Sequence, residues 1–398
     1  MTLLFALLIL GSALQAGLSA FLLLEVWASV KARLPPVAGH SEVAHCSHPT
    51  TAILMPAHNE AAGIARGVRS ALAELGPADR LLVIADNCSD NTAAVARELG
   101  AEVVERSDAQ RRGKGFALDF GLRQLGDHPP AVVLVVDADC ELAPGSLAVL
   151  ARRAVDSGRP QQALDLMLQP EGVTALRARV SEFAWRVKNQ VRPLGAKRIG
   201  LPCQLMGTGM AFPWSSLEEI SLATASIVED MQLGVELALR GTPVAFCPEA
   251  RVTSEFPVAG EDASAQRRRW EHGHLGIITQ TVPSMLIAAL RRSDYRLLGL
   301  CLDLAVPPLA FFAMAQLLWF VLVLAIALIA GVWAPALLSA ASIALLTLAL
   351  LAAWQRWGRD LIAAGELLRL PVYMIAKIPM YLAFWTGRQT AWVRARRD

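Results

Sequence analysis

Charge is scarce in this chain. Lys, Arg, Asp and Glu make up 18% of its 398 residues, against 54% hydrophobic, where a soluble domain carries about 25% charged residues. The deficit is local, because none of the four occurs from Met1 to Leu24 or from Leu304 to Gln355. Each tract meets the roughly 20 residues that a helix needs to cross a bilayer, and the second is long enough for two crossings. With a mean hydropathy of +0.42, the composition excludes disorder, collagen and small disulfide scaffolds, and describes a membrane protein. The charges nearly cancel, at a formal net +2, which speaks against a nucleic-acid partner. No C-x-x-C pair occurs among Cys46, Cys88, Cys140, Cys203, Cys247 and Cys301, so neither a zinc ribbon nor a redox dithiol is indicated. Scattered thiols fit a reducing compartment. The N-terminal run lacks a basic n-region and an A-x-A site, and reads as an uncleaved anchor rather than a signal peptide. Lys31 and Arg33 follow it directly, which places its C-terminal side in the cytosol.

What is present falls into blocks. Residues 1–30 are a transmembrane anchor and 31–49 a linker marked by Pro35, Pro36 and Gly39. Residues 50–281 have globular composition, and 282–296 read as an interfacial helix in which Pro283–Leu290 is followed by Arg291 and Arg292. Two spans occupy 297–355, with a break at Pro307-Pro308 and an outer turn at Gly331–Pro335. Trp333, Trp354 and Trp357 sit where an aromatic belt belongs. The remaining 356–398 read as interfacial amphipathic helices and a basic cytosolic tail. There Pro371–Trp385 holds Lys377 and Pro379, and a crossing would export Arg394, Arg396 and Arg397 against the charge rule.

Within the globular block, Thr51–Met55, Leu81–Ala85, Ala131–Val136 and Ala163–Leu168 read as buried strands. Glu60–Leu75, Thr92–Leu99 and Lys114–Leu125 read as helices between them. Such alternation gives an α/β fold, Rossmann-like, with a mostly parallel sheet. Ligands bind beyond the carboxyl ends of strands in such sheets, so the polar residues after each apolar run are the ones to weigh. Asp86-Asn87-Cys88-Ser89-Asp90 follows the second strand, and Asp137-Ala138-Asp139 follows the strand Ala131–Val136. Glu229-Asp230 opens a helical stretch, and Gln266-Arg267-Arg268-Arg269-Trp270 comes later. Any one of these serves equally as a helix cap or turn. Asp137 and Asp139 stand out, because paired carboxylates after five apolar residues suit Mg²⁺ or Mn²⁺ shared with a diphosphate. His272 and His274 have no third ligand in view and read as surface or packing residues. Gly113-Lys114-Gly115 lacks the spacing of a Walker loop. Asp303, next to a span, is either functional or a snorkelling or capping residue.

The ordered set Met55-Pro56-Ala57-His58-Asn59-Glu60, Asp86, Arg112-Gly113-Lys114-Gly115, D-A-D, E-D and Q-R-R-R-W resembles the family 2 glycosyltransferases. These are inverting GT-A enzymes that include cellulose, chitin and hyaluronan synthases and bacterial exopolysaccharide transferases. The resemblance covers about Thr50 to Gly276 and implies a role for each matching residue. Pro56, Asn59, Glu60 and Asp86 would line the nucleotide pocket, with Asp86 reading the base and Lys114 near the nucleotide or the diphosphate. Asp137 and Asp139 would hold the nucleotide sugar and the metal. Asp230 would be the general base, with Glu229 on the acceptor side. Gln266 and Arg269 would bind the nucleotide sugar, with Arg269 facing the diphosphate, and Trp270 would border the acceptor. A bidentate, permanently charged guanidinium suits a diphosphate, whereas Arg267 and Arg268 suit anionic lipid.

Val228 replaces the Thr that many relatives have before the E-D pair. The Phe-Phe-Cys-Gly acceptor motif of cellulose synthases is absent, and Leu201–Gly209 stands in its region. Gly207 and Gly209 there serve either close approach to a sugar or a tight turn. The resulting expectation is a membrane enzyme that moves a sugar from a nucleotide sugar, uridine-linked by resemblance, to a lipid-linked acceptor. Its place would be a bacterial inner membrane, with the catalytic domain cytosolic. A processive, polymer-secreting synthase and a catalytically idle membrane or transport protein are the alternatives. Three spans offer little for a polymer channel.

Overall fold

The computed structural model describes residues 2–35, 48–218, 220–256 and 261–386. Pro36, Gly39, Cys46, Arg394, Arg396 and Arg397 lie outside the described residues. The chain forms two compact units. Among the described residues, one holds Arg33–Val173 and Pro202–Gly273, and the other holds residues 2–32, Thr174–Leu201 and residues 274–386.

The first unit is built on one eight-stranded sheet. Its strands are β1 (Thr51–Ala57), β2 (Arg80–Asp86), β3 (Glu102–Arg106), β4 (Val132–Val135), β5 (Glu141–Leu142), β6 (Gln161–Leu168), β7 (Met210–Pro213) and β8 (Ala245–Glu255). They lie in the order β3-β2-β1-β4-β7-β6-β8-β5. β1 pairs parallel with β2 and with β4, β2 with β3 and β6 with β8. β7 runs antiparallel between β4 and β6, and β5 antiparallel to β8. The sheet is thus mostly parallel, as the alternation of strands and helices implied.

Ile53, Leu54, Met55, Leu82, Val83, Ile84 and Leu134 are fully buried, as expected of central parallel strands covered on both faces. Four strands escaped the sequence reading. β3 is an edge strand bearing charge, Glu102-Val103-Val104-Glu105-Arg106, and not an apolar run. β5 and β7 span two and four residues, and β8 carries Pro248 inside a register jump opposite Ala163/Leu164, a bulge that hides its period.

After β1 and β2 have run to one side, the chain returns to the other side of β1 as β4. The carboxyl ends of β1 and β4 therefore flank the point where strand order reverses, the usual crevice for a ligand. The helix Ile64–Leu72 packs tightly beneath it. A Cβ on Gly67 would come within 2.6 Å of the Ala138 carbonyl and 2.8 Å of the Cys140 carbonyl, so glycine sets the height of the D-A-D turn.

The second unit contains three helices long and apolar enough to cross a membrane, Leu3–Val30, Leu309–Ala330 and Ala334–Trp357. Pro307-Pro308 separates Leu309–Ala330 from the helix Tyr295–Ala305, because proline supplies no N–H to continue the ladder. Gln316 Nε2 donates to Ser19 Oγ at 2.8 Å, Ser342 Oγ to Gln316 Oε1 at 3.1 Å, and Trp319 Nε1 to Ser12 Oγ at 2.9 Å. Such buried bonds hold helices together where apolar packing alone gives no preference over lipid. The helix Val282–Arg292 buries Met285 and Ala289, and exposes Leu286, Ile287 and Leu290. The tail forms Leu370–Ile375 and Ile378–Thr386, each too short to cross a bilayer alone.

Asp303 is neither a snorkelling nor a capping residue. Asp294 caps its helix, accepting from the backbone of Arg296 and Leu297. Asp303 is buried and ion-paired with Arg192, which also donates from Nε to Glu25 Oε2 at 3.2 Å. A Cβ on Gly195 would overlap the Glu25 carbonyl, so the helix Arg192–Arg198 lies hard against the first span. His274 is buried and donates from Nε2 to the Leu304 carbonyl at 2.9 Å. His272, in the first unit, is buried as well.

Candidate active site

Beyond β1 and β2 the chain is stitched into one ledge. Asn59 Oδ1 accepts from the Ser89 N–H at 2.6 Å, the Glu60 N–H donates to Thr92 Oγ1 at 2.7 Å, and His58 Nδ1 to the Asp86 carbonyl at 2.7 Å. Asn59 and Asn87 hold φ of 55° and 51°, values that side-chain-bearing residues adopt mainly where the surroundings enforce them. Among the described residues only Ser293 shares that feature. Pro56 sits in β1 beyond Leu54, the last residue paired with β4, so its missing N–H costs no bond on that side.

Asp86 is buried, and its Oδ1 accepts from Arg106 Nη1 at 2.6 Å and Asn87 Nδ2 at 3.0 Å. Oδ2 takes no hydrogen bond among the described residues. Arg106 also donates to the Arg111 carbonyl at 2.7 Å and to Asp108 at 3.3 Å, so one guanidinium ties the candidate base-reading carboxylate to the loop that enters Gly113-Lys114. Arg106 was missed because it ends β3, the edge strand without an apolar run.

The second cluster centres on Lys114. This residue opens the helix Lys114–Leu125, and its Nζ is ion-paired with Asp137 and donates to the Gly207 carbonyl at 2.7 Å. Burial lowers the Lys114 affinity for its proton, but the carboxylates of Asp137, Glu229 and Asp230 outweigh it and hold the ammonium well above its usual range. Gly207 has φ of 92°, and a Cβ there would stand 3.5 Å from Asp230 Oδ2 and 3.7 Å from Lys114 Nζ. Thr208 Oγ1 accepts from the Asp137 N–H at 3.2 Å. Asp137, Lys114, Gly207 and Asp230 thus meet in one place, with Glu229 beside them at the start of the helix Glu229–Leu239. Asp139, half-buried at the turn, accepts from Cys140 Sγ at 3.4 Å.

Gln266, Arg269, Trp270 and Gly273 are spaced i, i+3, i+4 and i+7 on the helix Glu261–Gln280 and therefore share a face. A Cβ on Gly273 would overlap Val228 Cγ1, so that face meets the residue immediately before Glu229. Gln266 is buried with its Oε1 unpaired among the described residues. The basic–aromatic motif and the acidic pair, 36 residues or more apart in sequence, are brought to one seam by a glycine contact.

A mostly parallel α/β sheet, with acidic pairs gathered beyond its carboxyl ends beside a basic–aromatic helix, defines a glycosyltransferase of the GT-A type. The chain belongs to the glycosyltransferase like family 2, whose family model matches residues 48–273. It is a glycosyltransferase that draws on nucleotide-sugar donors, flanked by three candidate transmembrane helices. Among solved structures it is similar to the mannosyltransferase PcManGT from Pyrobaculum calidifontis in complex with GDP-Man and Mn²⁺. The identity is 17% over 89% of this chain and 99% of that one, at a TM-score of 0.51, a likeness of fold. GalNAc-T7 with UDP, GalNAc and Mn²⁺ is 14% identical over 63% of this chain and 52% of that chain, at a TM-score of 0.41. No curated protein sequence matches the chain.

Proposed function

We propose that the protein transfers one sugar, with inversion, from a uridine-linked nucleotide sugar to a lipid-linked or glycolipid acceptor. The observation that carries this reading is the convergence of Asp137, Lys114 and Asp230 around Gly207. Asp230 takes the proton from the acceptor hydroxyl as that oxygen attacks the anomeric carbon. The bond from that carbon to the diphosphate breaks, and its electron pair leaves with the nucleoside diphosphate. A carboxylate is a weak base at its usual pKa near 4, so the gain rests on orientation within reach of the hydroxyl. Glu229 borders the acceptor. Lys114, released from Asp137 as the donor enters, meets the diphosphate, and Arg269 and Gln266 face it from the neighbouring helix, with Trp270 toward the acceptor.

Pro56, Asn59 and Glu60 frame the nucleotide, and Asp86 Oδ2 reads an N–H of the base. Among the described residues no group of three or more His, Cys, Asp or Glu side chains is arranged so that it could hold a metal ion by itself. Two carboxylates, Asp137 and Asp139, suit Mg²⁺ or Mn²⁺ completed by diphosphate oxygens, and do not suit an all-protein zinc site. Such an ion supplies Lewis-acid stabilisation of the leaving group.

The lipid-linked acceptor is supported by the three apolar helices and by the exposed apolar residues of Val282–Arg292, which suit contact with a membrane surface. A bacterial inner membrane with the catalytic unit cytosolic agrees with Lys31 and Arg33 after the first span. Asp230→Asn should abolish transfer in lipid nanodiscs while Mn²⁺-dependent nucleotide binding persists. Wild-type rates in that variant would refute the role of Asp230, and label in long chains would favour a processive synthase.

A further inference from the structure

Gln162 is fully buried and belongs to none of the motifs above. It is the last residue of β6 paired with β7, opposite Met210, and the β6–β8 register jumps immediately after Ala163. Its carboxamide then continues the pairing that the backbone gives up. Oε1 accepts from the Met206 N–H at 2.9 Å, and Nε2 donates to the Thr208 carbonyl at 2.9 Å and to the Ala163 carbonyl at 2.9 Å. The Ala163 N–H donates to the Gly209 carbonyl at 2.8 Å. One side chain with a donor and an acceptor thus grips both ends of Met206-Gly207-Thr208, as a neighbouring strand would.

Those three residues make the contacts that join the candidate catalytic groups. The Gly207 carbonyl holds Lys114, the Gly207 Cα faces Asp230, and Thr208 Oγ1 takes the Asp137 N–H. We propose that Gln162 is a positioning residue for glycosyl transfer, which fixes the 206–208 loop and through it the spacing of Lys114, Asp137 and Asp230. This rests on the transfer reading given above. Gln162 touches no substrate. Its effect belongs to the chemical step, because displacement of about 1 Å at reacting groups costs as much as 10²-fold, whereas the ledge of Asn59 and Asp86 that would bind the nucleotide lies elsewhere on the sheet.

The test uses the full chain in nanodiscs, with Gln162→Met, which keeps length and removes both hydrogen-bonding groups, and Gln162→Asn, which keeps both groups on a shorter stem. Three quantities are read: kcat with the labelled nucleotide sugar that wild type turns over, the Kd of UDP with Mn²⁺, and the methylation rate of Lys114 by mass spectrometry without donor. For folded Gln162→Met we expect kcat to fall by about 10- to 100-fold with the UDP Kd moving less than about 3-fold. Lys114 should be methylated several-fold faster, and Gln162→Asn should lie between the two. Unchanged Lys114 labelling in either folded variant would overturn the inference whatever the reaction proves to be. So would a loss confined to UDP affinity. If Gln162→Met does not fold, Gln162→Asn carries the same three readouts. Failure of the transfer reading itself would show separately, as full activity in Asp230→Asn.

Discussion

Glu229 is pushed up to about 7, first by burial and then by the Asp230 carboxylate, against the pull of Lys114. A carboxyl whose folded pKa exceeds its unfolded one holds an extra proton in the folded state between those values. Stability therefore falls as pH rises from about 4.5 to about 7, and stays at the lower level above that. Glu229→Gln removes the effect. In EDTA its apparent Tm should exceed that of wild type at about pH 8, and the gap should close at about pH 4.5; an equal gap at both would sink the assignment. At this scale the sequence points to residues whose type alone suggests chemistry, and the structure brings two of them, Asp137 and Asp230, together around Gly207. It was silent on Arg106, Gln162 and Thr208, which are set apart by what they touch and not by residue type. An arginine ending an edge strand and a glutamine inside a strand carry no local pattern.

Elements were legible when buried on both faces or strongly amphipathic. The helix Lys114–Leu125 has the ends that its pattern implied, whereas Glu60–Leu75 shrinks to Ile64–Leu72 because the residues before it belong to the ledge. The four unread strands are short, at an edge or bulged, so period two never develops over enough residues to be seen. Contacts between elements were the least legible, since tight approaches are set by single glycines. Gly273 is the sharpest case. Gly273→Val would force the helix Glu261–Gln280 away from Val228, an overpacking cost of about 1–3 kcal/mol. Transfer should drop by about 10-fold or more from the displaced Arg269 and Trp270, while Gln280 and the residues after it remain helical by hydrogen exchange. Wild-type kinetics in that variant would count against the face assignment.

At the largest scale, the unit that carries the three candidate transmembrane helices holds a buried network of Glu25, Arg192 and Asp303. Removing one member strands the others. Arg192→Met leaves two buried carboxylates without their cation and should cost about 3–5 kcal/mol, read as a lower apparent Tm in detergent. Replacing the set together, Glu25→Gln with Arg192→Met and Asp303→Asn, should recover most of that loss. A triple variant no better than the single one would mean that shape, not charge, holds the three helices.

The family boundary at 48–273 looks like a natural place to cut out a water-soluble enzyme, but Thr174–Leu201 lies inside it and groups with the candidate transmembrane helices. A fragment cut there would carry Arg192 and Gly195 stripped of Glu25, Asp303 and the first span. It would present a bare greasy flank with a naked guanidinium in it, and would come out of cells bound to detergent or as inclusion bodies. Excising the catalytic half of this protein for crystallisation or drug screening therefore requires bridging residues 173 and 202, and not merely trimming the two ends.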